Sequence, residues 1–164
     1  MTTSDHHTTK LIIGIGNDQR GDDAIGLEIA RRLRSGLPTA TTVHEETGDG
    51  LSLLDTWDGF GEVVLIDAAC SGSTPGTISR FDAIARAIPE GTLRGCSTHT
   101  MSMAAIIELA RALGRLPPRL TVYAIEGRNF EIGATVTPEV QAAAREVELS
   151  LRREPVTPPS VAVN

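Results

Sequence analysis

Two short runs, KLIIGI at residues 10–15 and EVVLI at residues 62–66, place apolar side chains at consecutive rather than alternate positions. A strand sends successive side chains to opposite faces, so runs of this kind must be covered on both sides. Stretches with helical periodicity lie between such runs. Ile25, Ile29 and Leu33 recur within Asp22–Leu33, and Met103, Ile106, Ile107 and Ala110 recur within Met101–Leu113, which Gly114 stops. TTVHEE predicts a second, more polar strand, and a short helix is expected from Leu51 to Trp57. TISRF predicts a strand or an edge piece, and LTVYAIE a final strand. Thr137 is expected to cap a closing helix whose first position is Pro138. Strands alternating with helices predict a layered α/β fold with a mostly parallel sheet.

A length of 164 residues suits one domain. That domain is expected over residues 10–153, with a polar, disordered segment at 1–9 and a loose Pro-rich tail at 154–164. Only 3% of the chain is aromatic, so the core must be built from aliphatic side chains. Fifteen Lys and Arg against 21 Asp and Glu give a net charge of −6, which argues against a nucleic-acid partner because displacing phosphate counterions needs excess cations. No apolar run approaches the ~20 residues of a membrane-spanning helix. The expected location is the cytoplasm, where Cys70 and Cys96 would be free thiols packed as small apolar groups.

In open parallel sheets, ligands bind beyond the carboxyl ends of the strands. GIGNDQRGDDAIG, residues 14–26, runs from such an end into a helix. It is not a phosphate loop: Gln19 stands where a dinucleotide fingerprint needs glycine, and Asp22 and Asp23 stand where a Walker loop needs Lys and Ser or Thr. Two carboxylates at a helix start would repel a phosphate. One of the pair is expected to cap the helix, leaving Asp23 free to act. Asp67 closes the apolar strand VVLID, and an unpaired carboxylate there is costly to bury. The alternative for Asp67 is a turn-initiating role. His99, in CSTHTMSM, precedes a helix and could reach the same sheet edge. Two hard oxygen donors and one imidazole suit Zn, Ni or a related divalent ion.

These segments resemble the hydrogenase maturation endopeptidases. GIGNDQRGDDAIG is similar to that family's GxGNxxxxDDGxG opening, and ETGDGLSLL, VVLIDAACSG, PGTISRF and STHTMSMAAIIELARALG follow in the family's order, between Leu11 and Ala143. The resemblance implies a three-layer α/β/α sandwich around a five-stranded, mostly parallel, twisted sheet. It implies an endopeptidase that trims the carboxyl-terminal extension of a nickel–iron hydrogenase large-subunit precursor, with nickel supplied by the substrate. Asp23, Asp67 and His99 are then the residues that meet nickel, one carboxylate activating water. The alternative is a nickel-binding maturation or scaffold module without turnover. Ala24 replaces a usual glycine. Glu126–Gly127 stands where some members have Gln–Pro and is expected to bear on substrate choice.

Overall fold

The computed structural model describes residues 9–89, 91–93 and 101–155. The expected end segments other than Thr9, Glu154 and Pro155, together with Cys96 and His99, lie outside them.

Five strands form one sheet: Lys10–Ile15 (β1), Thr41–Glu46 (β2), Glu62–Ala69 (β3), Ile78–Asp82 (β4) and Arg119–Glu126 (β5). The helices among the described residues are Ile25–Leu33 (α1), Leu53–Thr56 (α2) and Met103–Ala112 (α3) between strands, and Pro138–Arg153 (α4) after β5. The spatial order is β2-β1-β3-β5-β4, parallel except for β4. TISRF is therefore an edge strand, antiparallel to β5, with Ile78 opposite Ile125. LTVYAIE is the last strand in the chain but an inner one in the sheet.

The consecutive apolar residues of β1, β3 and β5 divide between two cores. Leu11, Ile13, Val63, Leu65, Leu120 and Val122 face Leu53, Trp57 and the Met103, Ile106, Ile107 and Ala110 stripe of α3. Ile12, Val64, Ile66, Tyr123 and Ile125 face Ile25, Ile29 and Leu33 of α1 and Val140, Ala144, Val147 and Leu151 of α4. The expected three layers follow. Each fully buried aliphatic side chain contributes roughly 1.5–3 kcal/mol. An exposed pair such as Arg31–Asp18 adds about 0–1 kcal/mol, so the two cores hold the sheet together.

At the amino ends of the strands, the Lys10 ammonium is buried 3.2 Å from Glu62 and 3.4 Å from Glu154. The Tyr123 hydroxyl also donates to Glu154, at 3.1 Å. The first residue of the expected tail is thus tied to β1 and β5.

Two helix starts differ from expectation. A 3₁₀ turn, Gly21–Ala24, precedes α1, and no side chain caps it. Tighter i→i+3 bonding serves the first amide groups there, so neither aspartate is needed as a cap. Thr137 and Pro138 stand at the start of α4 as expected, yet the Thr137 hydroxyl bonds Asp22 instead of its own helix. At α3 the cap is Ser102, whose Oγ accepts from the Ala105 N–H at 3.2 Å. Gly114, with φ +67°, ends that segment, and the Arg115 N–H reaches back to the Ala110 carbonyl at 2.8 Å.

Candidate active site

From β1 the chain turns through α1, on one face, to β2. It then crosses through α2, on the other face, to β3. The carboxyl ends of β1 and β3 therefore lie at a topological switch point, where neighbouring loops diverge and leave a crevice. Two glycines let α1 close in on that crevice. A Cβ at Gly26 would lie 2.3 Å from the Ile15 carbonyl oxygen and 2.4 Å from that of Ile66; one at Gly14 would lie 2.0 Å from the Gly26 carbonyl oxygen. Only a bare backbone fits, and this contact fixes the start of α1 against both strand ends.

The crevice that results has a volume of about 150 Å³, and Asp23 and Asp67 both line it. Asp23 belongs to the 3₁₀ turn before α1; its N–H donates to the Arg20 carbonyl and its carbonyl accepts from the Asn17 N–H, at 3.1 and 3.2 Å. Burial raises its pKa, and the positive charge of Arg20 works in the opposite direction. Asp67 sits in β3 opposite Ala124, with Oδ1 accepting from the Ala68 N–H at 2.8 Å. Burial first, and then the charge of Asp23, push its pKa up to about 8, against the lowering effect of the Ala68 amide. As a residue Asp67 is partly buried, and it lines the crevice. At neutral pH this carboxyl holds a proton beside a second carboxylate.

Of the three residues singled out from sequence, two therefore share one crevice; His99 lies outside the described residues. Among the described residues no cluster of three or more His, Cys, Asp or Glu could hold a metal ion. Two oxygen donors are what these residues contribute to any cation.

Asp22, the other member of the pair, is fully buried and points away from the crevice lining. Its Oδ2 accepts from the N–H groups of Arg128 and Asn129 at 2.7 and 2.9 Å, and its Oδ1 from the Thr137 N–H at 2.6 Å. It joins the site loop to the β5–α4 loop. The expectation that one aspartate caps the helix is corrected: the acceptor is used across the fold.

Asn17, Arg20 and Asp49 also line the crevice and were not singled out from sequence. The first two stand inside the GIGNDQRGDD segment, whose density of polar residues between two glycine contacts was the available signal. Glu46, at the end of β2, organises the facing loop by accepting from the Gly48 N–H at 2.7 Å and the Ser52 hydroxyl at 2.5 Å. Glu126, expected to influence substrate choice, does not line the crevice. Its carboxylate accepts from the Ser71 and Gly72 N–H groups and the Ser71 hydroxyl, at 2.8, 2.9 and 2.8 Å. Cys70 is disulfide-bonded, which corrects the expectation of a free thiol. That expectation rested on compartment, which does not decide pairing.

A crevice at the switch point of a doubly wound sheet, bearing two carboxylates of raised pKa, defines an α/β protein with titratable groups gathered at its ligand-binding edge. The chain belongs to the hydrogenase maturation protease family, which residues 7–152 match. A comparison with curated protein sequences gives no match. Among solved structures, the hydrogenase maturating endopeptidase HybD from Escherichia coli is 26% identical, with a TM-score of 0.64 over 88% of this chain and 92% of that one. An endopeptidase from Escherichia coli solved in solution is 24% identical, with a TM-score of 0.75 over 87% and 89%. The [NiFe] hydrogenase maturation protease HycI from Thermococcus kodakarensis KOD1 shares the fold at 21% identity, with a TM-score of 0.66 over 88% and 90%. Family membership makes the chain a hydrolase acting in hydrogenase maturation. No helix among the described residues is long and apolar enough to cross a membrane.

Proposed function

We propose that this protein is an endopeptidase that removes the carboxyl-terminal extension of a nickel–iron hydrogenase large-subunit precursor already loaded with nickel. The observation that carries the reading is the meeting of Asp23 and Asp67 in one crevice at the β1–β3 switch point. Two carboxylates, one holding a proton at neutral pH, make an incomplete metal site. An incomplete site suits a metal that arrives on the substrate with ligands of its own. Asp23, Asp67 and His99 complete the coordination of the precursor's nickel and so place the scissile peptide beside it. The nickel polarises the carbonyl of that peptide, and one of the two carboxylates takes the proton of the attacking water. A precursor without nickel gives Asp67 no reason to release its proton and is left uncut.

The test is the intact mass of the nickel-loaded precursor from the same source, before and after incubation with this protein. Metal-free precursor and the His99→Ala and Asp23→Asn variants run in parallel. The expected result is loss of a carboxyl-terminal peptide with nickel and the unmodified protein only. Association without any change of mass would instead support a nickel-binding scaffold without turnover. Cleavage of metal-free precursor at the same rate would remove nickel from the mechanism.

A further inference from the structure

Among the described residues lining the crevice, the charged ones are Arg20, Asp23, Asp49 and Asp67: one cation among three acids. Its backbone is held on both sides. The Arg20 N–H donates to the Asn17 carbonyl at 3.2 Å, and the Arg20 carbonyl accepts from the Asp23 N–H at 3.1 Å. The next residue, Gly21, has φ +57° and lies so close to the Asn129 carbonyl that a Cβ there would come within 2.3 Å of its oxygen. On the other side, the Gln19 carbonyl accepts from the Gly133 N–H at 2.8 Å. The main chain on either side of Arg20 is therefore held by the β5–α4 loop, and Arg20 lines the crevice from that fixed backbone.

An extended peptide entering this crevice brings a row of carbonyl oxygens, all of them acceptors. Carboxylate oxygens are acceptors too, and the protonated Asp67 carboxyl offers a single O–H donor. Guanidinium is a pure donor, permanently charged, with a planar fork that spans two oxygens. We infer that Arg20 binds main-chain carbonyl oxygens of the precursor next to the scissile bond and sets how tightly the substrate is held. The inference rests on the endopeptidase reading above and adds to it a substrate-binding residue outside the carboxylate and imidazole set. Because Arg20 stays charged at all working pH, it serves neither as the base nor as a ligand to nickel.

The test measures two things on Arg20→Gln and Arg20→Lys: the dissociation constant for the nickel-loaded precursor, and KM and kcat for its processing. Circular dichroism shows whether each variant is folded. Arg20→Gln is expected to weaken binding and raise KM on the order of tenfold to a hundredfold, as loss of charge-assisted hydrogen bonds does, with kcat within about threefold of the parent. Arg20→Lys keeps the charge and loses the fork, so it is expected to recover only part of the affinity; it also serves as the test should Arg20→Gln fail to fold. Unchanged affinity and KM in the folded variants, with a fall in kcat that Lys restores, would overturn the inference and reduce Arg20 to a counter-charge for Asp23. If the unmodified protein binds the precursor but never shortens it, the endopeptidase reading falls while the affinities still decide for or against Arg20. If it neither binds nor cuts, both fall.

Discussion

Asp67→Asn is expected to change how stability depends on pH more than it changes the fold. In the native protein the Asp67 pKa is about 8, whereas in an unfolded chain it returns to about 3.9. Between those values the native state binds the extra proton, so its stability must fall as pH rises. At about 1.36 kcal/mol per pH unit, the three units from pH 4 to pH 7 amount to roughly 4 kcal/mol as an upper bound. As a residue Asp67 is only partly buried. Screening there leaves on the order of 2 kcal/mol. Asparagine removes the titration but keeps the carbonyl oxygen that accepts from the Ala68 N–H. Urea unfolding of both proteins between pH 4 and 8, in the presence of a chelator, supplies the comparison. At pH 4 the two should be nearly equally stable, and by pH 7 the variant should lead by about 2 kcal/mol. Curves that stay parallel across this range would refute the raised pKa, and with it the proton held in the crevice.

Asp22→Ala leaves the N–H groups of Arg128, Asn129 and Thr137 without their buried acceptor. It should cost on the order of 4 kcal/mol and lower Tm by roughly 10 °C, read by calorimetry. Gly26→Ala drives a Cβ against two backbone oxygens that cannot step aside, and should cost more than about 3 kcal/mol in a denaturant titration. Lys10→Met removes a buried cation between Glu62 and Glu154. Arg119 remains 3.3 Å from Glu62 and Tyr123 still donates to Glu154, so the loss should be roughly 2 kcal/mol, below the 3–5 kcal/mol of a buried pair broken outright.

β1, β3 and β5 were legible because their apolar residues are consecutive, and α3 because Met103, Ile106, Ile107 and Ala110 repeat at helical spacing. Local chemistry of that kind needs no knowledge of neighbours. Asp67 was legible as a carboxylate closing a buried run, and Asp23 as the member of a pair that the helix start did not require. What each aspartate actually touches was not legible. Asp22 bonds residues more than a hundred positions away, and no periodicity links Gly21 to Asn129. The contacts of Glu126 were hidden for the same reason, its partners Ser71 and Gly72 being brought to it only by the pairing of β3 with β5. The pairing of Cys70 was hidden because compartment does not decide it. The order of the sheet was equally hidden, since β5 follows β4 in the chain yet sits inside it.

Asp22 grips the β5–α4 loop through the Thr137 hydroxyl and three main-chain amides, which every residue but proline can offer. Between Asn129 and Thr137 the side chains are consequently under little obligation to the latch itself, and Ile132 is 82% exposed. A substitution at Ile132 is therefore expected to leave the latch, and Asp23 one position along the chain from it, in place. The latch thus separates the exposed tip of that loop from the residue that lines the crevice.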